Sequence, residues 1–145
     1  MLNVRLACPA DAADLVLLNA AFNEVLDVSA EDVRRSLAHS AEVVVVAEVD
    51  DRVIAFCCAQ VHHSFCYKTP VAEVTEMYVD EVHRRRGIAT EMLTFLEEYL
   101  QSAYDVDEIH LLTGTDNHAA QAAYKKAGFV RKNEAYMMKE VPRNR

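Results

Sequence analysis

The residues best placed to do chemistry lie in one short stretch. Arg84-Arg85-Arg86-Gly87-Ile88-Ala89-Thr90 follows a β-branched segment that ends at Met77-Tyr78-Val79, and it opens a segment of helical periodicity. Three guanidiniums beside a helix start suit an anion. The first-turn N–H groups of a helix have no intrahelical acceptor, and the helix dipole adds positive charge there. Gly87 and Ala89 carry so little side chain that phosphate oxygens could reach those amides. Neither GxxxxGK[ST] nor GxGxxG occurs, so this is not a Walker loop or a dinucleotide turn. His62, His63 and Cys66 are close in sequence, but adjacent strand residues point to opposite faces and a fourth ligand is missing, so no metal site is expected. Lone histidines such as His110 and His118 are more often structural.

The elements that must position this loop follow from periodicity. Leu2, Val4 and Leu6 alternate as in a half-buried strand. Pro9 suits a first helical turn, and Leu15, Leu18, Phe22 and Val25 continue at helical spacing. Ser29-Ala30-Glu31-Asp32 resembles a capping box that starts a second helix, with Val33 and Leu37 facing inward. Val43 to Ala47 reads as a central strand buried on both faces. Asp50-Asp51 is turn chemistry, Val53 to Val61 is the return strand of a hairpin, and Val71 to Val79 is a third long strand. Ile88, Met92, Phe95, Leu96, Tyr99 and Leu100 form one helical face. A short strand over Ile109 to Leu112, a helix over Ala119 to Ala127 with Gly128 as its cap, and a last strand over Tyr136 to Val141 complete the order β-α-α-β-β-β-α-β-α-β. That order predicts an α/β mixed sheet with helices packed on it.

Bulk properties bound the function. The 145 residues make one domain over 1–145, with no repeat, linker or low-complexity tract. Apolar residues are 52% and charged residues 26%, a globular composition. No apolar run reaches the roughly 18–20 residues of a membrane helix, and the N-terminus lacks the layout of a signal peptide. The expectation is a soluble, cytoplasmic protein without a membrane partner. The four cysteines include no CxxC pair and fit small buried hydrophobes better than a disulfide framework. Fifteen basic against 23 acidic residues give a net charge of −8, which argues against nucleic acid as a partner and fits a cationic substrate.

Two blocks then carry a family resemblance. Arg84-Arg85-Arg86-Gly87-Ile88-Ala89 resembles the [Q/R]-x-x-G-x-[G/A] signature of the GNAT superfamily of N-acetyltransferases. Asn117-His118-Ala119-Ala120-Gln121-Ala122-Ala123-Tyr124-Lys125-Lys126-Ala127-Gly128-Phe129 resembles that family's N-x-x-A-x-x-x-Y-x-x-x-G-F. The likeness is strong over residues 71–130, and the N-terminal half shares only element order. The resemblance implies the acyl-CoA N-acyltransferase fold, a central mixed sheet flanked by about four helices. It implies acetyl-CoA as co-substrate and no metal, with the cofactor lodged where strand 71–79 and strand 108–113 splay apart at a β-bulge. Backbone groups of Met77, Tyr78 and Val79 would hold the pantetheine arm. Amides and side chains from Arg84, Arg85, Arg86, Gly87, Ile88, Ala89 and Thr90 would hold the pyrophosphate, and Asn117 and Tyr124 would contact the cofactor from the last helix.

The implied reaction is direct attack of a primary amine on the thioester in a ternary complex. Tyr124 stands at the family position that protonates the departing thiolate. The amine must lose its proton to Glu76, to Glu73 or to a water relay. Glu73 and Glu76 are three apart, so on a regular strand they face opposite sides, which a bulge between them would change. The acceptor class that fits an acidic protein is a small cationic molecule such as an aminoglycoside, a polyamine or an amino-acid-like metabolite. Phe65 and Tyr67, in the loop before strand 71–79, either line the acceptor pocket or pack. Alternatives are a protein N-terminal or lysine acetyltransferase and a non-catalytic CoA-binding regulatory module. A homodimer is expected by family habit.

Overall fold

The computed structural model describes residues 1–144. The elements are β1 (Leu2–Leu6), α1 (Ala12–Asn23), α2 (Ala30–His39), β2 (Val43–Val49), β3 (Arg52–His62), β4 (Val71–Val79), α3 (Ile88–Tyr104), β5 (Ile109–Leu111) and α4 (His118–Lys126). The sheet order is β1-β2-β3-β4-β5, antiparallel as far as β4 and parallel between β4 and β5. No helix among the described residues is long and apolar enough to cross a membrane.

Local sequence rules account for most boundaries. The capping box starts α2: the Asp32 amide donates to the Ser29 hydroxyl at 3.1 Å, and the Ser29 amide donates to the Asp32 carboxylate at 2.9 Å. The β2–β3 hairpin turns at Asp50 and Asp51 with φ of +50° and +64°. Two positive φ values are what a type I′ turn needs, and aspartate tolerates them better than most residues. Strand parity then separates two cores. Val43, Val45 and Ala47 of β2 join Met92, Leu96 and Leu100 of α3 on one face. Val44 and Val46 join Leu15 and Leu18 of α1 on the other, where Val33 and Leu37 of α2 also pack.

Charge fixes the N-terminal corner. The Arg5 guanidinium on β1 donates to both Asp11 carboxylate oxygens, at 2.8 and 2.9 Å, and to Glu48 of β2 at 2.6 Å. The Cys8 amide also donates to Asp11, at 2.8 Å. Asp11 is buried at 6% exposure, so this bidentate pairing is what makes its burial tolerable.

One expectation fails. Tyr136 to Val141 is not a strand, and residues 130–144 are exposed. Tyr136 and Met138 alternate with Met137 and Val141, so a strand here would carry apolar groups on both faces and need cover on both sides. The sheet ends instead at β5, three residues long.

The Arg5–Asp11 pair predicts acid lability. Its hydrogen bonds from Arg5 hold the Asp11 carboxyl below its usual 3.8 against the opposing effect of burial. A depressed carboxyl contributes stability that is complete above the unfolded pKa and is lost as pH falls through the folded one. Asp11→Asn should lower stability at pH 7 by about 2 kcal/mol. Denaturant titrations should show its difference from the parent shrinking once pH drops below about 4.

Candidate active site

The site begins with an irregularity in β4. Ala59 pairs with Val74 but Cys58 pairs with Glu76, so Thr75 is an extra residue, and its hydroxyl donates to the Cys58 carbonyl at 3.3 Å. The bulge changes side-chain parity. Glu73 stands opposite Gln60, Glu76 opposite Cys58 and Tyr78 opposite Phe56, so all three share the α1–α2 face. Val74, Met77 and Val79 face the α3 core. The two carboxylates thus share a face, but their surroundings differ. Glu73 lies 3.2 Å from the His62 imidazole, whereas Glu76 opens into a cavity.

Beyond the bulge β4 loses its outer neighbour. Pairing with β5 covers Ala72, Val74 and the residue between them, and β5 ends at Leu111. The backbone from Thr75 to Val79 therefore borders an opening. Part of that edge is already used: Arg84 Nε donates to the Val79 carbonyl at 2.9 Å. The Arg84 guanidinium also sits 5.3 Å above the Tyr78 ring, which stacks on Phe22 at 5.1 Å. Arg84 is a tethered residue, while Arg85 and Arg86 project into solvent.

The α3 start adjoins this opening. Gly87 is its N-cap at φ +76°, and no side chain caps it. The first intrahelical bond runs from the Glu91 amide to the Gly87 carbonyl, which leaves the amides of Ile88, Ala89 and Thr90 for another acceptor. The Ile88 side chain is buried in the core, so that residue offers backbone alone. Added side-chain bulk at Gly87 would meet nothing within 4 Å, so the surface above these amides is open. The arrangement fits a pyrophosphate.

α4 follows β5 and packs beside α3. Asn117 Oδ1 accepts from the Ala120 amide at 3.2 Å, so Asn117 is the N-cap. At the other end the Gly128 amide donates to Lys125 and the Phe129 amide to Tyr124, with Gly128 at φ +98°. This is a Schellman cap, and its apolar contact is Phe129 edge-on to Tyr124 at 5.9 Å. Tyr124 is half-buried against the α3-side core. Burial, with the neighbouring Cys57 thiol adding to it, raises the phenol above its usual 10, which keeps it protonated at neutral pH.

On the other sheet face, α1, α2, β2, β3 and β4 line a cavity of about 240 Å³ that is partly open to solvent. Glu76 reaches it, as do Glu42, Asp32, Cys58, Asn19 and Asn23. Glu42, which precedes β2, was not foreseen. Burial raises its carboxyl above the usual 4.5; a hydrogen bond with Cys58 opposes this, and the charge of Glu76 adds to it. Burial likewise pushes the Cys58 thiol well up, so it is no nucleophile at neutral pH. Glu42 shares a face with Val44 and Val46, but β2 is apolar on both faces, so no alternation in the sequence marks which face that is. Phe65 and Tyr67 are exposed and line no part of this cavity. No cluster of three or more His, Cys, Asp or Glu able to hold a metal exists among the described residues.

A five-stranded mixed sheet with four helices and this opening defines an acyl-CoA N-acyltransferase fold. The acetyltransferase (GNAT) family matches residues 15–129, and the chain belongs to that family. It is an N-acetyltransferase that uses acetyl-CoA. No curated protein matches the sequence. Solved structures share the fold at low identity. An aminoglycoside acetyltransferase from an uncultured soil metagenomic sample, in complex with trehalose, is 16% identical with a TM-score of 0.84, covering 98% of this chain and 97% of that one. Ribosomal-protein-alanine N-acetyltransferase from Brucella melitensis biovar Abortus 2308 is 17% identical with a TM-score of 0.81, covering 97% and 99%. AAC(6')-Iy, solved in complex with a bisubstrate analogue of CoA and acetylneamine, is 17% identical with a TM-score of 0.84, covering 98% and 99%.

The cap of α4 generates a prediction. Gly128 lies at φ +98°, a conformation that strains any residue with a Cβ. Gly128→Ala should cost about 1 kcal/mol, a fall in Tm of roughly 3–5 °C by calorimetry.

Proposed function

We propose that the protein, as one domain over 1–145, transfers the acetyl group of acetyl-CoA to the primary amine of a small cationic molecule. The observation that carries this reading is a single opening at the end of β4–β5 pairing. A helix start suited to pyrophosphate adjoins it on one side, and a cavity containing carboxylates lies on the other. Support for a cationic acceptor comes from that cavity, which Asp32, Glu42 and Glu76 line and, among the described residues, no Lys or Arg does, and from the net charge of −8. Aminoglycoside acetyltransferases among the structures of like fold agree with a small amine. The protein-acetylating alternative keeps one supporting likeness, to a ribosomal-protein-alanine N-acetyltransferase.

In this reading the amides of Ile88, Ala89 and Thr90 bind the pyrophosphate, with Arg85, Arg86 and Gly87 around it. The β4 edge at Met77, Tyr78 and Val79 holds the pantetheine arm, and Asn117 lies beside it. Acetyl-CoA supplies an activated acyl carbon. The amine nitrogen forms the new N–C bond as the C–S bond breaks. Glu76 takes the amine proton, directly or through water, and the Tyr124 phenol gives a proton to the departing sulfur. Glu73, already bonded to His62, is the weaker base in this scheme. The exposed apolar residues Tyr136, Met137, Met138 and Val141 support a homodimer, and the reading keeps the protein in the cytoplasm.

Two experiments test the assignment. Gly87→Val should weaken CoA binding in calorimetry by about tenfold or more, and Arg85→Ala by only a few-fold, because an exposed charge is screened while amide access is lost outright. Unchanged affinity in Gly87→Val would move the pyrophosphate elsewhere. Tyr124→Phe should lower kcat by about 10²-fold while leaving acetyl-CoA binding nearly unchanged, since the proton is given only in the transition state. Parent-like single-turnover rates in that variant would remove Tyr124 from catalysis.

A further inference from the structure

The composition of the cavity narrows the acceptor further than charge does. Its volume of about 240 Å³ lies below the roughly 300–1,000 Å³ of sites that take drug-sized ligands. Its walls are mainly hydrocarbon. Leu15, Val33 and Leu37 line it from the helices, and Val44 and Phe56 from the sheet.

Its carboxylates are not equivalent. Asp32 is bonded to the Ser29 amide at 2.9 Å in the α2 cap. Glu76 is exposed on β4. Glu42 is half-buried and faces the Cys58 thiol and the like charge of Glu76, and no cation lines the cavity beside it. A partly desolvated carboxylate in such a setting gains from a cation that enters the cavity.

Resting on the amine-acetyltransferase reading above, we propose that the acceptor is a compact primary amine on a hydrocarbon body, and that Glu42 seats its ammonium end beside Glu76. The helix-side aliphatic groups then cover the body. An aminoglycoside ring fits poorly, because many of its hydroxyls would lose water against Leu15, Val33, Leu37 and Phe56, while the polar partners are confined to the carboxylates of Asp32, Glu42 and Glu76 with Asn19, Asn23 and Ser36. Glu42 is thus a specificity-determining residue, distinct from the proton acceptor on β4.

The test uses the full chain with acetyl-CoA and thiol detection, with CoA affinity measured separately by calorimetry. The acceptors are hexylamine, phenethylamine, spermidine, kanamycin and a peptide with a free N-terminal alanine. Hexylamine or phenethylamine should have the highest kcat/KM, by tenfold or more over kanamycin. Glu42→Gln should raise the KM for that amine about tenfold or more with little change in kcat and an unchanged affinity for CoA, and Glu42→Asp should recover part of the loss. The unchanged CoA affinity also verifies that the variants are folded. Preference for kanamycin, spermidine or the peptide would overturn this inference and leave acetyl transfer intact. So would a compact amine whose KM ignores Glu42→Gln. No transfer to any of the five amines despite CoA binding would overturn both this inference and the small-amine reading, and loss of CoA binding altogether would overturn the cofactor assignment itself.

Discussion

The extra residue at Thr75 decides what each face of the sheet can present. Without it, Val74 and Met77 could not both face α3, and Glu73 and Glu76 could not share the α1–α2 face. A regular β4 that kept Val74 in the core would turn Glu76 toward Cys57 and the α3 leucines, where an unpaired carboxylate is costly. The bulge lets apolar residues stay in one core and carboxylates stay on the other side. It also falls where β5 stops pairing, so one local irregularity coincides with the change of parity and the opening of the sheet edge. The Thr75 hydroxyl on the Cys58 carbonyl ties the irregularity to β3.

Much of this was legible because it is local. Ala72, Val74, Met77 and Val79 are spaced two, three, two, a break in alternation that fits a bulge between Val74 and Met77. The bounds of β4, the apolar face of α3 and the capping box of α2 follow from period and cap chemistry alone. The expected last strand fails because an apolar cluster in Tyr136 to Val141 reports only a local preference, whereas a strand also needs an edge to pair with and cover for both faces. Glu42 was overlooked for a different reason. β2 is apolar on both faces, so its sequence hides the parity that would have aligned Glu42 with Val44, Val46 and the cavity.

The two family-like blocks also carry ordinary folding work. Asn117 caps α4, Gly128 reverses its C-terminus and Phe129 packs on Tyr124, so this block would be a well-made helix whatever its chemistry. These contacts also fix where one phenol, Tyr124, is placed. The caps at both ends fix the register of a nine-residue helix, and Phe129 closes one side of the Tyr124 ring. Arg84 is similar: held by the Val79 carbonyl and the Tyr78 ring, it secures the turn that leads from β4 into α3.

Residues without such duties speak more directly for function. The starts of α2 and α4 are capped by Ser29 and Asn117, whereas the long α3 begins at a glycine that can cap nothing. Its φ of +76° strains any residue with a Cβ, so glycine suits the backbone there and leaves the amides of Ile88, Ala89 and Thr90 without a side-chain acceptor. A capping carboxylate would also repel a phosphate and occupy the same amides. A bound anion can supply the missing acceptors. Glu42 is a different case, since a leucine there would meet Val44 and Leu37 without the desolvation cost of a carboxylate. At Glu42 the sequence keeps the less stable choice, and the two places lie on opposite sides of the β4 opening, one suited to an anion and the other to a cation.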